Sequence, residues 1–257
     1  MRHSNLLMTP ALLLVLLAAT GCGQIRESIP TMERVLDVAQ ESVREPATWA
    51  PIAAATVIGF AGVDDNISDW ASDETPIFGS QNSADSFSDD LRNALIAGAV
   101  ISSVIAPTGA AEYSFPTRRF AASVLGINTV AGIVKIGKVT VQRERPDETD
   151  DESFPSGHSG ASFSSAVLLE QNLNATIQRP WLRRSVKVGT TSAAALVAWA
   201  RVEAQRHFPV DVLVSAGLSN FVSKVFYRSF IENNAAIPPI GFEASRNGFT
   251  IRMDHKF

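Results

Sequence analysis

Cysteine is almost missing from this chain: Cys22 stands alone among 257 residues. A single thiol closes no internal disulfide and supplies too few ligands for a cysteine zinc site, so both are excluded by count. A basic excess is missing too. Lys and Arg total 22 against 26 Asp and Glu, a net charge of −4. Nucleic acid therefore has no electrostatic claim as a partner. Long hydrophobic runs are also lacking. The apolar stretches 50–62, 94–106, 120–134, 188–200 and 210–222 each fall short of the roughly 18–20 residues that cross a bilayer. Rich in Ala, Gly, Ser and Val, they read as buried helices of a soluble bundle packed through small residues. Histidine is scarce at four, which makes the position of each one informative.

The N-terminal segment reads as an export signal. Arg2 and His3 precede an apolar core over 11–19, too short for an ordinary span. It ends in Ala19-Thr20-Gly21-Cys22, which resembles the lipobox of bacterial lipoproteins, with Ala19 where Leu is more usual. The expectation is a signal peptide over 1–21, lipidation at Cys22 and a periplasm-facing tether. Gly23 after the cysteine favours the outer membrane. An ordinary secretory signal with an incidental cysteine is the plainer alternative.

Residues 22–48 read as a linker carrying one amphipathic helix, with Met32, Val35, Leu36, Ala39 and Val43 at helical spacing behind Pro30-Thr31. A helical domain follows over 49–236. Within it, 64–90 is dense in Asp, Ser and Asn and reads as a long loop with one short helix at most. After Pro238-Pro239, the segments 240–244 and 249–257 alternate around Asn247-Gly248, the signature of a small hairpin over 237–257. The fold class is thus all-α with a C-terminal β-hairpin.

Three clusters carry chemistry. In the first, Lys138 and Arg145 are seven residues apart, and Pro146 follows. On a continuous helix they share a face about 10 Å apart along the axis, with Pro146 ending the helix. Two cations so placed can hold a phosphate, or simply form a solvated basic face. In the second, Pro155-Ser156-Gly157-His158 precedes an apolar run and reads as a helix start. Ser156 can cap it, free N–H groups favour an anion, and Gly157 permits close approach. His158 then stands beside that anion, able to protonate a leaving oxygen. A capped helix with an exposed histidine is the bland counterpart. In the third, Arg201, His207 and Asp211 surround Pro209, which suits the first turn of a helix. Asp211 can then accept a hydrogen bond from one ring nitrogen of His207 and leave the other bare as a nucleophile. A buried structural His–Asp pair fits the same residues.

Together the clusters resemble the signature of the type-2 phosphatidic acid phosphatase superfamily, which also holds bacterial non-specific acid phosphatases and vanadium haloperoxidases. The resemblance covers roughly residues 120–225. It implies an all-helical bundle and a metal-independent phosphatase without a cofactor, vanadate acting only as an inhibitor. It also implies roles. Lys138, Arg145, Ser156, Gly157 and Arg201 would bind phosphate, and His207 would attack phosphorus. Asp211 would orient His207, and His158 would protonate the leaving group, through a phosphohistidine intermediate. The chain departs from the pattern at Ala200, where the family usually has Ser. Vanadate-dependent halide oxidation and a non-catalytic phosphate-binding lipoprotein are the competing functions. The loop 147–152, Asp-Glu-Thr-Asp-Asp-Glu, lies between two clusters and either rims the pocket against polyanions or is simply solvated. Phosphorylated lipids and small molecules are both open as substrates, with the membrane reached through the lipid tether.

Overall fold

The computed structural model describes residues 30–105, 117–231, 240–245 and 248–253. The signal segment and Cys22 lie outside the described residues. Among the described residues, eight helices run in order: α1 Met32–Val43, α2 Pro46–Ala61, α3 Asp64–Glu74, α4 Gln81–Ile105, α5 Thr117–Val141, α6 Gly157–Asn174, α7 Pro180–Glu203 and α8 Pro209–Phe230. Two strands, β1 Ile240–Ser245 and β2 Gly248–Met253, pair antiparallel from Ile240↔Met253 to Ser245↔Gly248. The expected all-α class holds, with the hairpin where the Asn-Gly signal put it.

Helices α6 and α8 form the centre. α6 packs on α4, α5, α7 and α8, and α8 packs on α1, α2, α5 and α6. Small residues let the backbones approach. Gly160 of α6 sits under Val130 and Val134 of α5, and Gly217 of α8 sits under α2. Polar pairs cross the same interfaces. Ser164 meets Ser223 at 2.7 Å, Asn172 donates to the Ala99 carbonyl at 3.2 Å, and Asn220 donates to Thr48 at 2.7 Å. Buried hydrogen-bonding groups of this kind fix which faces meet, because a mismatched pairing leaves polar atoms unsatisfied.

Four expectations change. The segment 64–90 is not a loop: it contains α3 and the first ten residues of α4. Its polar residues misled because they face the site rather than solvent alone. Helix α5 ends at Val141, four residues ahead of Arg145, and Gln142 turns the chain with φ 49°. Lys138 and Arg145 therefore do not share one helix. The apolar stripe of α1 is not its buried face, since Val38 and Ser42 are buried while Met32, Leu36 and Val43 are exposed. Finally, α5 outruns its apolar stretch: Arg119–Val141 has a mean hydropathy of 1.6 and is long and apolar enough to cross a membrane, with 28% of that window buried. Counting uninterrupted apolar residues missed it because Lys135 and Lys138 interrupt the stretch without ending the helix.

The contact of Gly217 with α2 makes a direct test. A Cβ on Gly217 would lie 2.5 Å from the Thr48 carbonyl oxygen and 2.6 Å from Ile52 Cγ1. Gly217→Val should therefore destabilise the fold by about 2 kcal/mol or more, measured by urea denaturation. An unchanged midpoint would show that α2 and α8 do not meet here.

Candidate active site

The N-termini of the two central helices carry the second and third clusters. Ser156 caps α6 by accepting from the Ser159 N–H at 3.4 Å, and Gly157 opens the helix. The Ser156 N–H donates to the Asp211 carbonyl at 3.3 Å, and Ser159 Oγ donates to the Val212 carbonyl at 2.9 Å. These bonds tie the start of α6 to the start of α8. At α8, Pro209 begins the helix, and the Asp211 carboxylate accepts from the Phe208 N–H at 2.9 Å.

His207 is buried, and its Nδ1 lies 2.6 Å from the Ser153 carbonyl oxygen. A carbonyl only accepts, so Nδ1 carries the proton and Nε2 is bare. The expected direct bond from Asp211 is corrected: its Oδ2 stands 3.9 Å from Nδ1, beyond hydrogen-bond reach. Asp211 instead accepts from Ser153 Oγ at 2.5 Å and from Arg143 Nη1 at 2.7 Å. Ser153 is the bridge, its hydroxyl on Asp211 and its carbonyl on His207. Arg143 also reaches Asp64 Oδ2 at 2.8 Å and lies 3.9 Å over the Phe208 ring. Asp64 in turn accepts from the Val210 N–H at 2.9 Å. Burial opposes the Arg143 charge, but Asp211 and Asp64 outweigh it and raise the guanidinium pKa. Burial lifts the Asp211 carboxyl above its ordinary range, against the pull of Arg143 and Ser153.

The three cations among the five expected phosphate ligands each pair with a carboxylate. Lys138 Nζ bonds the Glu152 carbonyl and lies 3.8 Å from its carboxylate. Arg145 Nε meets Asp150 at 2.6 Å. Arg201 is buried, pairs with Asp85 and donates to Ser88 Oγ at 3.0 Å. Its Nε is buried with no hydrogen-bond partner, an unsatisfied donor that calls for an anion. The acidic loop is therefore neither a free rim nor merely solvated, since Asp150 and Glu152 pair with two of the cations and Asp147 pairs with Arg206 at 2.8 Å.

These charges converge on the histidines. Burial, then Arg201, Lys138 and Arg145, drive the His207 pKa well below its ordinary value. Burial, then Arg201 and Arg92, push His158 down to about 3, against Asp89. Burial and Arg145 likewise lower Lys138. A phosphate dianion among these cations would reverse the sign of the local field and raise both histidines. Backbone strain gathers here too: Gln142, Glu148 and Gln205 adopt φ of 49°, 55° and 56°, each in a loop bordering the site. Among the described residues, no group of three or more His, Cys, Asp or Glu side chains is placed to hold a metal ion.

Several site residues escaped the sequence reading. Asp85, Ser88, Asp89 and Arg92 lie on one face of α4 at i, i+3, i+4 and i+7, a helical stripe legible in the sequence but polar throughout. Arg143 and Ser153 carried no signal beyond nearness to the clusters. Ser156 is wholly buried, and a Cβ on Gly157 would meet only Val134 at 3.8 Å. The backbone at Gly157, not crowding by its neighbours, is what a ligand would use. Ala200 is fully buried in a small cluster with Ala84 and Ala204, so this position serves packing.

A bundle that sets two histidines and three cations about the first turns of paired helices belongs to the helical class built around an anion. Residues 119–235 match the model of the PAP2 superfamily. Over 103 residues it is 32% identical to a lipid A 1-phosphatase from Porphyromonas gingivalis, a match covering 40% of this chain and 22% of that relative. Its fold is similar to the crystal structure of a transmembrane PAP2 type phosphatidylglycerolphosphate phosphatase from Bacillus subtilis. That likeness has a TM-score of 0.53 at 19% identity, over 76% of this chain and 94% of the other. The Aquifex aeolicus LpxE structure aligns at TM-score 0.42 and 20% identity, over 56% and 82% of the two chains.

The bridge made by Arg143 yields a measurable cost. Arg143→Met leaves two carboxylates unpaired in a mostly buried setting, so the variant should lose about 2–4 kcal/mol at pH 7. The loss should shrink as pH falls, because Asp211 then takes up a proton and no longer needs the cation. Urea titrations at pH 7 and 5 measure both effects. A pH-independent loss would contradict the ionic role.

Proposed function

We propose that the chain is a metal-independent phosphatase that hydrolyses phosphate monoesters, lipid phosphates or pyrophosphates through a phosphohistidine intermediate. The observation that carries this reading is His207, buried, with Nδ1 committed to Ser153 and Nε2 bare amid Arg201, Lys138 and Arg145. In the first step Nε2 forms a bond to phosphorus as the bond to the leaving oxygen breaks. His158 gives that oxygen its proton. In the second step His158 takes a proton from water, whose oxygen attacks phosphorus and expels His207. Charge builds on three equatorial oxygens, so fixed cations and the N–H groups of α6 do most of the catalytic work. The lipid A 1-phosphatase relative supports a phosphorylated lipid as substrate. A lipid anchor on Cys22 and a periplasmic, outer-membrane location would place the site beside such lipids.

Removing the nucleophile separates this mechanism from any other. His207→Ala should cut phosphate release from p-nitrophenyl phosphate and from a phosphorylated lipid by about three orders of magnitude or more. The wild-type protein should keep its rate in excess chelator. Survival of activity in the variant, or its loss with chelator, would contradict the proposal.

A further inference from the structure

The leaving-group side of the site holds a contact that none of the three clusters anticipates. His158 Nε2 lies 2.7 Å from Asp89 Oδ1, and Arg92 Nη1 touches the same nitrogen. Arg92 and Asp89 are themselves 3.2 Å apart. One nitrogen cannot serve both neighbours at once. With a proton on Nε2 it donates to Asp89, and without one it accepts from Arg92. The two partners stand on one face of α4, one and two turns beyond Asp85, which grips Arg201. Asp85 and Ser88 on Arg201, with Phe78 and Ile77 bonded through their N–H groups to buried Glu203 at 3.1 Å, fix α4 against α7. The placement of Asp89 is thus built into the helix register.

We propose that Asp89 is a positioning residue for His158: it holds the Nε2 proton of the imidazolium and leaves Nδ1–H as the proton given to the leaving oxygen. Arg92 acts in the opposite sense and favours the neutral ring. The inference rests on the phosphatase reading given above. During the first step the proton passes from Nδ1 to the leaving oxygen as the P–O bond breaks, while Nε2–H stays on Asp89 and the carboxylate keeps its charge. The charged groups that face His158 are Asp89 and Arg92 from α4 and Arg201 from α7. Two of these three disfavour the imidazolium, and only Asp89 supports it. Of these three groups, Asp89 alone favours the charge that the role of the ring requires.

Two substitutions with opposite signs test this. A general acid loses activity as pH rises through its pKa, so the basic limb of kcat/KM reports His158. In the full-length protein, Asp89→Asn should move that limb to lower pH by about one pH unit, and Arg92→Gln should move it to higher pH. Asp89→Asn should also lower kcat by about 10- to 100-fold on an alkyl phosphate, yet by no more than about threefold on p-nitrophenyl phosphate, whose leaving group needs little protonation. Asp89→Glu should recover part of the alkyl rate. Asp89 is half exposed at 52%, so these variants should fold, as melting curves would verify. Equal losses on both substrates, or limbs that move together, would overturn the proposal. Were the wild type inactive on every phosphate, the phosphatase reading would fail instead. NMR titration of the His158 ring in inorganic phosphate would then decide the Asp89 proposal alone. It stands if Asp89→Asn lowers and Arg92→Gln raises the midpoint, and it falls otherwise.

Discussion

One arginine connects the parts of this site that are farthest apart in sequence. Arg143 spans Asp64 and Asp211 with one planar fork, at 2.8 and 2.7 Å. Asp64 opens α3 and takes the Val210 N–H, so the same carboxylate also seats the first turn of α8. Asp211 is fully buried, and each of its donors comes from a different place: Arg143, Ser153 and the Phe208 N–H. Two carboxylates and one cation in a mostly dry setting hold only when all are present, since any one left alone bears its desolvation cost unaided. Ser153 is fixed by this group, and His207 is fixed by Ser153.

The bundle supplies what such a group requires. Gly160, which faces Ser219, and the buried serines along α6 and α8 bring the central helices close enough for their first turns to meet. There the N–H groups of α6 and the cations Lys138, Arg145 and Arg201 create a positive field. Burial and that field depress both histidines, and Arg201 Nε has no acceptor. An anion with several oxygens answers all of these at once. A phosphoryl group in flight, with its charge spread over three oxygens, answers them best. The same field makes protonating His158 difficult, which is why a carboxylate beside it matters.

Much of this was legible in the sequence, for a physical reason. Helix starts announce themselves through local chemistry, so Ser156 before Gly157 and Pro209 before Asp211 marked the first turns of α6 and α8 correctly. The Asn-Gly pair placed the hairpin. What escaped were features set by tertiary contact. A helix started by Pro209 between His207 and Asp211 predicts a direct bond between them, and a serine 54 residues from His207 takes its place. The end of α5 could not be read because Gln142 in a left-handed turn is an outcome of the loop, not a preference of the residue. The polar stripe of α4 looked like a loop because hydrophobic periodicity was the criterion, and this face is periodic in charge. Cys22 and the segment before it lie outside the described residues, so the lipid tether stands as a proposal from sequence.

The central claim is that His207 Nε2 attacks phosphorus, and capturing the covalent intermediate tests it most directly. Protein mixed with a radiolabelled phosphate ester, quenched in alkali within milliseconds and digested, should carry label on the peptide containing His207. The linkage should be stable to base and labile to acid, as a phosphoramidate is. Label on another residue, or turnover with no covalent label at any quench time, would contradict the account.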